Sequence, residues 1–272
     1  MKTHFNPARS FVCRTILIFS ILILSTNARG QSPVDSSRII RVLTYNIYHG
    51  ETMRGDFNLD TIAGVIKSVN PDLVALQEVD FRTNRAKEMD LAMELGQRTG
   101  LIPIFGKAMS FSGGEYGEAI LSRYTFFSTQ NHAMGGTEGK EPRSALEVNV
   151  ELRSGAIIRF IGTHLDHTRD ETDRISQAIK LNDLFTKDDT PSILAGDLNA
   201  RPESKTMEIL LKEWTKSSSE NTPTSPSANP RAKIDYILFR PAKRWRVIET
   251  RVIDEKVGSD HCPFLSVLEL LD

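Results

Sequence analysis

Residues 192–199 read Ser-Ile-Leu-Ala-Gly-Asp-Leu-Asn, an apolar run that changes abruptly into polar side chains. The run from Ser192 to Ala195 predicts a buried strand, because it is short and almost entirely apolar. Asp197 and Asn199 then stand where that strand ends, which is where α/β folds gather their ligand-binding loops. One polar strand end carries little information, so its meaning depends on whether the pattern recurs.

The pattern recurs along the chain. Most of the predicted strands are bordered by side chains that can bind a metal or a phosphate. These side chains are Asn46, Gln77-Glu78, Thr163-His164, Asp197-Leu-Asn199, Asp235 and Asp260-His261. Each has an ordinary alternative when taken singly: a loop cap for Asp197, a surface charge for Glu78, a buried partner of Arg231 or Lys233 for Asp235, a core histidine for His164. Six such ends in one chain indicate instead that separate loops converge on one crevice.

Periodicity predicts an α/β (α+β) chain of one domain. Helical spacing or short apolar runs predict helices at 59–69, 90–99, 170–185 and 207–211. Strands are predicted at 39–45, 73–76, 145–152, 157–163, 192–195, 234–239, 246–253 and 264–270. Loops are predicted at 110–116, 131–143 and 217–230, where Gly, Pro, Ser and Asn are frequent. Without a repeat or an internal linker, residues 39–272 are expected to form a single domain.

The bulk numbers describe a soluble globular protein. The 272 residues include 25% charged and 39% hydrophobic residues, which is enough to bury a substantial core. The formal net charge of −1 lacks the basic excess of a dedicated nucleic-acid binder. This weakens a nuclease interpretation, although a local basic patch stays compatible with the composition.

The first thirty residues stand apart from the rest. Lys2, Arg9 and Arg14 precede the apolar run 16–24, and Ala28 and Gly30 follow it. This layout predicts a secretory signal peptide at 1–30, joined by a polar linker at 31–38 to the domain. A membrane anchor is the alternative, but the run is shorter than the roughly 20 residues that a span needs. We therefore expect a secreted or periplasmic protein with no transmembrane segment after cleavage.

Cysteine usage fits a core stabilised without disulfides. Of two cysteines, Cys13 lies in the predicted signal, so the mature chain keeps only Cys262. A single cysteine cannot form an internal disulfide. Cys262 follows a histidine, so a role as nucleophile is open, but a small buried side chain is the interpretation that we favour.

The polar strand ends have the right chemistry for phosphate esters. Hydrolysis of these esters needs a hard cation, an activated water and a donor for the departing oxygen. The oxygens of Asn, Asp and Glu suit Mg²⁺, which rarely needs more than one or two carboxylates. Mn²⁺ is an alternative cation. No Cys or His cluster has the spacing of a structural zinc site.

At this point the sequence resembles the endonuclease/exonuclease/phosphatase superfamily, which includes deoxyribonuclease I, exonuclease III, neutral sphingomyelinases and inositol polyphosphate 5-phosphatases. The motifs that carry the resemblance are Thr44-Tyr-Asn-Ile47, Leu76-Gln-Glu-Val79, Tyr116-Gly-Glu-Ala-Ile-Leu-Ser-Arg123, Thr163-His-Leu165, Gly196-Asp-Leu-Asn199, Lys233-Ile-Asp-Tyr-Ile237 and Gly258-Ser-Asp-His-Cys-Pro263. They run from about Val42 to Val267 in this order. The resemblance implies a four-layer sandwich of two packed mixed β-sheets with outer helices.

It also implies roles for individual residues. Glu78 would hold the metal with help from Asn46, and Asp260 would lie beside the metal or its waters. Asp197 would orient or deprotonate the attacking water, and Asn199 would bind a phosphate oxygen.

The histidines complete the implied site. His261 would contact the scissile phosphate or act as acid or base, with Asp235 fixing its tautomer. His164 would stabilise the phosphorane oxygens or assist the leaving group. Tyr116 and Arg143 are candidate phosphate contacts, with a core tyrosine and a solvated loop arginine as the alternatives.

Departures from the family pattern bear on the substrate. Tyr48 stands where the exonuclease III branch carries an aspartate ligand, which counts against DNA repair. Glu118 replaces a small residue or Asn, and we expect its charge to border the pocket unless Arg123, Arg143 or a second cation compensates. Asp166 and His167 are further candidates for the pocket lining.

These inferences predict an exported Mg²⁺-dependent phosphoric ester hydrolase, either a phosphodiesterase or a phosphatase. The alternatives are a nonspecific secreted nuclease, a sphingomyelinase-like lipid phosphodiesterase and a non-catalytic binding module on the same fold. The expected partner is a phosphate ester, small molecule or nucleic acid. No stable protein partner is implied.

Overall fold

The computed structural model describes residues 1–4 and 35–272. Apart from its first four residues, the predicted signal peptide at 1–30 lies outside the described residues, as does the linker up to residue 34. Within the described residues, no helix has the length and apolar character needed to cross a membrane.

Twelve strands and four helices are assigned within residues 35–272. The strands are β1 (Ile39–Asn46), β2 (Leu73–Phe81), β3 (Ile102–Phe111), β4 (Gly114–Ser122), β5 (Phe126–Gly135), β6 (Arg143–Glu151), β7 (Ile157–His164), β8 (Ser192–Asp197), β9 (Thr215–Lys216), β10 (Asp235–Arg240), β11 (Trp245–Val252) and β12 (Phe264–Leu270). The helices are α1 (Leu59–Ser68), α2 (Leu91–Thr99), α3 (Thr172–Phe185) and α4 (Lys205–Leu210).

Local chemistry explains where three of these helices begin. The side chains of Asn58, Asp90 and Ser204 each accept a hydrogen bond from a backbone N–H three residues later. Such caps satisfy amide groups that have no partner within the helix. The helix α2 ends at Gly100, whose left-handed conformation suits glycine.

The strands form two six-stranded mixed sheets. Their orders are β11-β12-β1-β2-β4-β3 and β5-β6-β7-β8-β10-β9. Within each sheet one central pair is parallel, β1 with β2 and β7 with β8, and the other neighbours are antiparallel. The two sheets therefore share a similar plan, with a parallel pair at the centre of each.

Three apolar clusters stack these elements into four layers. One lies between the two sheets and includes Val42, Ile120, Val148, Phe160 and Ile193. A second packs α1 and α2 against the first sheet, and a third packs α3 and α4 against the second sheet. The predicted four-layer sandwich of two mixed sheets with outer helices is confirmed.

Two of the predicted loops were wrong in part. Of residues 110–116, only Ser112 and Gly113 form the turn between β3 and β4, and the others belong to these strands. Of residues 131–143, residues 131–135 belong to β5 and Arg143 begins β6. Both β3 and β5 are edge strands with many exposed side chains. They owe their conformation to pairing with a neighbour more than to their own hydrophobic pattern.

Lys233 is a buried cation next to the site-bearing strand β10. Its side-chain nitrogen lies 3.5 Å from the centroid of the Phe264 ring and has no hydrogen-bond partner among residues 35–272. Burial lowers the pKa of Lys233 to about 8, although the charge of Asp235 opposes this. The ammonium form is therefore destabilising in the folded protein.

This environment predicts a stability that rises with pH. Below pH 8 both folded and unfolded chains hold the Lys233 proton, whereas between about pH 8 and 10.5 only the unfolded chain keeps it. The free energy of unfolding should rise over that window by up to about 3 kcal/mol. Urea unfolding of wild type and Lys233→Met between pH 7 and pH 10.5 measures the difference, and Lys243→Met, on the surface, is the control. Parallel pH curves for wild type and Lys233→Met would contradict the prediction.

Candidate active site

The polar strand ends meet at one edge of the sandwich. The parallel strands β1, β2, β7 and β8 bring Asn46, Glu78, His164 and Asp197 to this edge at or near their C-terminal ends. The antiparallel strands β4, β6 and β10 begin at the same edge and contribute Tyr116, Arg143 and Asp235. Strand direction therefore explains why residues far apart in sequence share one pocket.

A β-bulge directs Glu78 into the pocket. In the pairing of β2 with β4, Leu76 lies opposite Ala119 and Val79 opposite Gly117, so Gln77 and Glu78 share a single partner. Glu78 adopts a left-handed φ of 58°. Non-glycine residues rarely hold this conformation except where the surrounding fold enforces it, often at functional sites.

Glu78 is fixed as a carboxylate by its neighbours. The Asn46 amide donates to its Oε1 at 3.0 Å, and Nδ1 of His49 lies 3.6 Å from its Oε2. Burial favours the neutral acid, but the contact with His49 and the other polar neighbours outweigh it and lower the pKa of Glu78 to about 2. The sequence interpretation missed His49, because only the left-handed turn at Tyr48 and His49 brings its ring back to β2.

Asp197 is buried at the end of β8 beside both histidines. A Cβ atom at Gly196 would lie 2.0 Å from the Thr163 carbonyl oxygen, so only glycine allows β8 to approach β7 this closely. The Asp197 Oδ2 atom lies 3.5 Å from Nε2 of His164 and 3.7 Å from Nε2 of His261. Burial and the charge of Asp235 raise the pKa of Asp197 to about 7, which suits a group that takes up a proton near neutral pH.

His261 and Asp235 form a buried acid–imidazole pair. The His261 Nδ1 atom lies 3.0 and 3.2 Å from the two carboxylate oxygens of Asp235. Burial opposes the charged ring, but Asp235 and Asp197 outweigh this and raise the pKa of His261 to about 10. The ring is therefore an imidazolium at neutral pH. The partner of Asp235 is His261, not Arg231 or Lys233.

Arg143 binds both His164 and His167. Its Nη1 donates to Nδ1 of His164 at 3.1 Å, and its Nη2 donates to Nδ1 of His167 at 3.0 Å. Nη2 also lies 2.8 Å from a carboxylate oxygen of Glu141. Arginine cannot accept a hydrogen bond, so it fixes Nδ1 of His164 as an acceptor.

The proton of His164 therefore lies on Nε2. Burial and the charge of Arg143 hold the pKa of His164 well below its usual range, so the ring is neutral. Nε2 lies 3.5 Å from Oδ2 of Asp197, which can accept this proton, and 3.0 Å from Nδ2 of Asn199, which donates to the Leu165 carbonyl oxygen at 3.1 Å. His164 can thus donate a hydrogen bond, but it cannot serve as a charged acid.

A comparison with known families agrees with this geometry. The model described as the Endonuclease/Exonuclease/phosphatase family matches residues 43–261. The chain belongs to this family. An uncharacterized Caenorhabditis elegans protein is 30% identical over 154 residues, which are 56% of this chain and 42% of that protein. The match thus spans less than half the length of that relative.

Solved structures show the same fold. An endonuclease/exonuclease/phosphatase from Beutenbergia cavernae aligns with a TM-score of 0.72 and 22% identity, covering 86% of this chain and 72% of that chain. A mannosyl-6-phosphatase from Bacteroides thetaiotaomicron aligns with a TM-score of 0.68 and 19% identity, covering 84% and 99% of the two chains. At these identities the likeness establishes the fold and not the substrate.

The site of this family member is a cavity of about 380 Å³. Its lining comprises Tyr48, His49, Glu78, Arg85, Met109, Phe111, Tyr116, Glu141, Arg143, His164, His167, Asp197, Asn199 and His261. The sequence interpretation missed His49, Arg85, Met109, Phe111 and Glu141. Arg85 reaches the pocket because Asp80, fully buried, accepts two hydrogen bonds from its guanidinium group.

Some of the other candidates lie elsewhere. Arg123 binds Asp72 with its Nε at 2.9 Å and is not among the residues that line the cavity, so it cannot balance charge there. Asp166 is buried and accepts hydrogen bonds from Thr168, and it is also outside the lining. Tyr116 is largely buried yet lines the pocket beside Arg143.

Two groups of side chains have the chemistry to hold a cation. Asp197, Asp235 and His261 each offer a ligand atom within 4.8 Å of the others. The imidazolium of His261 already neutralises these two carboxylates, so a metal would have to displace a tightly held proton.

The oxygens of Glu78, Asn46 and Asp260 fit Mg²⁺ better. Burial raises the pKa of Asp260; the charge of His261 opposes this, and the nearby charge of Glu78 adds to it. The Ser259 hydroxyl donates to the Asn46 carbonyl oxygen at 2.6 Å, which holds the Asp260 segment against β1. Two carboxylates and one amide oxygen are a donor set that suits Mg²⁺.

Proposed function

We propose that the protein is an exported, Mg²⁺-dependent hydrolase of phosphoric esters. The observation that carries the proposal is the shared cavity, which is lined by Glu78, Arg143, His164, Asp197 and His261. Nε2 of each of these histidines lies within 3.7 Å of Oδ2 of Asp197. Carboxylates, a neutral imidazole, an imidazolium and a guanidinium supply the base, donors and acid that phosphoryl transfer needs.

Asp197 is the group that we expect to activate water. Its pKa of about 7 lets it accept a proton at neutral pH and release it again. The Asn199 backbone N–H donates to its Oδ1 at 2.9 Å, and Asn46 donates to its Oδ2 at 3.3 Å. These contacts orient the carboxylate, so the attacking water would be placed before the reaction begins.

Arg143 and His164 would bind the phosphoryl oxygens. Arg143 contributes a positive charge, and the Nε2 proton of His164 contributes a neutral donor on the same wall. Fixed donors of this kind stabilise charge that accumulates on phosphoryl oxygens in the transition state.

We expect His261 to protonate the leaving oxygen. The ring is held as an imidazolium by Asp235, and its Nε2 lies 3.7 Å from Oδ2 of Asp197. A cation at Glu78, Asn46 and Asp260 would supply charge neutralisation for the phosphate. This assigns acid chemistry to His261 and oxygen binding to His164.

The cation site gives a direct prediction. Glu78→Gln should weaken Mg²⁺ affinity by at least about tenfold, because loss of even an outer-shell partner costs that much. Isothermal titration of the metal-free protein with Mg²⁺ measures the change. Asn46 and His49 also stabilise the Glu78 carboxylate, so we expect a modest fall in the melting temperature of Glu78→Gln.

Glu115→Gln is the matched control for this substitution. Glu115 also lies on a strand but pairs with Lys107, and it is not among the residues that line the cavity. It should leave Mg²⁺ affinity unchanged. A Glu78→Gln protein that binds Mg²⁺ like the wild type would remove Glu78 from the cation site.

The function itself is tested with the purified protein and a panel of esters. Turnover of bis-p-nitrophenyl phosphate and p-nitrophenyl phosphate with Mg²⁺, and its loss with a chelator, is the expected result. Hexose phosphates, plasmid DNA, RNA and sphingomyelin then separate a small-molecule esterase from a nuclease and a lipid phosphodiesterase. A protein that binds Mg²⁺ but turns over none of these would instead be a binding module on this fold.

Export is part of the proposal and is tested separately. The basic and apolar pattern of residues 1–30 supports it. Fractionation of cells that express the full chain, with sequencing of the mature N-terminus, should place the protein outside the cytoplasm and begin it near residue 31. An intact Met1 on the purified protein would reject export by this route.

A further inference from the structure

The tip of the hairpin between β3 and β4 contributes an apolar surface to the cavity. Met109, Phe111 and Tyr116 line the cavity together with Arg85, and we call these four residues the hairpin patch. Met109 lies opposite Tyr116 in the pairing of β3 with β4, and Phe111 follows Met109 by two residues, so both point to the same face. The proposed hydrolysis gives Met109 and Phe111 no role, because a cation, a water and a phosphate all need polar partners.

The side chains of the hairpin patch contact one another. The centroids of the Phe111 and Tyr116 rings lie 6.1 Å apart, with an angle of 58° between the ring planes. The guanidinium carbon of Arg85 lies 4.6 Å from the centroid of the Phe111 ring and 5.6 Å from that of the Tyr116 ring. These are the distances of aromatic and cation–π contacts. The hairpin patch is therefore one continuous surface.

Hydrogen bonds hold the hairpin patch in place. Asp80, which is fully buried, accepts hydrogen bonds from Nε of Arg85 at 2.7 Å and from its Nη2 at 2.9 Å. The Asn84 backbone N–H donates to the Ser112 carbonyl oxygen at 2.8 Å, which joins the loop of Arg85 to the hairpin turn. Ser112 and Gly113 both have positive φ, as the favoured two-residue hairpin turns require. A surface that is already ordered loses little conformational entropy when a ligand binds to it.

The charges at the cavity favour an uncharged ligand group at the hairpin patch. Within residues 35–272, Arg85 and Arg143 are the arginines that line the cavity, and each is already paired with a carboxylate, Arg85 with Asp80 and Arg143 with Glu141. One phosphate can be balanced by the proposed Mg²⁺ and by Arg143. A second anionic group at the patch would meet the pair of Arg85 and Asp80, whose net charge is zero, so it would gain little attraction there.

Glu118 does not add its charge to this surface. It lies on β4 two residues after Tyr116, but it is fully buried and is not among the residues that line the cavity. The sequence-based expectation that its charge borders the pocket is therefore wrong, because the fold encloses the side chain.

We infer that the hairpin patch binds the alcohol part of the ester, and that this part is an uncharged ring with an apolar face. The inference rests on the proposed function and names its class of substrate, a small ester with one phosphate on a ring-bearing alcohol. The rings of Phe111 and Tyr116 and the side chain of Met109 offer such a ring apolar contact. The cavity of about 380 Å³ is at the small end of the range for ligand pockets, which suits one phosphate and one ring.

Phosphonates test the inference by binding alone, because a phosphoesterase does not cleave their carbon–phosphorus bond. Phenylphosphonate and cyclohexylphosphonate carry an aromatic and a saturated ring, and methylphosphonate carries the same anionic group without a ring. Isothermal titration of wild type in Mg²⁺ should give a Kd at least about tenfold lower for one of the ring phosphonates than for methylphosphonate, since burying a ring contributes that much. The better of the two rings then distinguishes an aryl ester from an ester of a saturated ring.

Phe111→Ala removes the ring at the tip of the hairpin patch. It should raise the Kd of the preferred ring phosphonate by about tenfold and leave that of methylphosphonate within about twofold of wild type. Phe127→Ala is the matched control and should change neither Kd, because Phe127 is an exposed phenylalanine on β5 that is not in the cavity lining. Met109→Ala, on the same face as Phe111, is the second variant if Phe111→Ala does not fold, and its ring preference should fall in the same direction.

A second charge on the ring tests the uncharged part of the inference. We expect 1,4-phenylenediphosphonate to bind wild type no more than about twofold tighter than phenylphosphonate, since two equivalent groups double the ways of binding. A gain of tenfold or more that is lost in Arg85→Met would show that the hairpin patch binds a second anionic group, and would overturn the assignment of an uncharged ring.

The remaining outcomes separate this inference from the proposed hydrolysis. If the ring phosphonates bind wild type no better than methylphosphonate, or if Phe111→Ala and Met109→Ala both keep the full ring preference, the hairpin patch is not the site of the alcohol part. Turnover of esters by such a protein would leave the hydrolysis intact. If wild type prefers a ring phosphonate through Phe111 but turns over no ester, the binding site stands and the proposed hydrolysis fails.

Discussion

Asp197→Asn is expected to lower kcat by roughly 10² to 10⁴-fold, the range that a general base contributes, while the fold is retained. The amide keeps the size of the side chain and can still accept from the Asn199 backbone at the Oδ1 position. It cannot take a proton from water. Stopped or continuous assays with bis-p-nitrophenyl phosphate at saturating Mg²⁺ measure kcat, and the melting temperature should stay within a few degrees of wild type.

A matched control separates chemistry from packing. Asp72 is also buried and also accepts hydrogen bonds, from the Arg41 backbone and from Arg123, outside the cavity lining. Asp72→Asn should lower stability by about 1–3 kcal/mol and leave kcat unchanged. Normal turnover by Asp197→Asn would remove it from catalysis, and a loss of kcat matched by an equal loss of folded protein would make it structural.

The sequence was sufficient to predict the strands and helices whose hydrophobic pattern is set by burial on one or two faces. β1, β8 and β12 are apolar runs buried within the sandwich, and the order of residues alone places the polar groups that border them at one edge. β3 and β5 escaped prediction because an edge strand can expose polar side chains and still be held by its neighbour.

The candidate site, like the fold, could be predicted only in part from the sequence. Asn46, Glu78, Asp197 and His261 could be predicted as candidates because strand ends and motif order point to them. The bulge that turns Glu78 into the pocket, and the left-handed φ of 58° that it needs, leave no mark in the local sequence. Arg85 could not be predicted from the sequence either, because it lines the cavity only through its pairing with Asp80. Such contacts depend on how loops pack in three dimensions.

His261→Gln is expected to have a comparably large effect, and one that depends on the leaving group. If the imidazolium protonates the departing oxygen, its loss should lower kcat by roughly 10² to 10⁴-fold for an alkyl phosphate ester. A p-nitrophenyl ester has a stable leaving group and needs little help from an acid, so the loss there should be much smaller. Parallel assays of methyl p-nitrophenyl phosphate and an alkyl diester, in wild type and variant, give the two ratios.

Variants of Asp235, the partner of His261, and of His132, a control residue, make this experiment more specific. Asp235→Asn removes the charge that holds the ring as an imidazolium, so it should show the same leaving-group dependence. The double variant should be no slower than the worse single variant, because the two residues act as a unit. His132→Gln, at a histidine that binds Glu147 on the outer face of β5 and is not in the cavity lining, should leave both ratios unchanged. If His261→Gln lowers kcat equally for both esters, His261 binds the phosphate and does not act as the acid. Another residue must then be the acid, and it cannot be His164, whose ring is neutral.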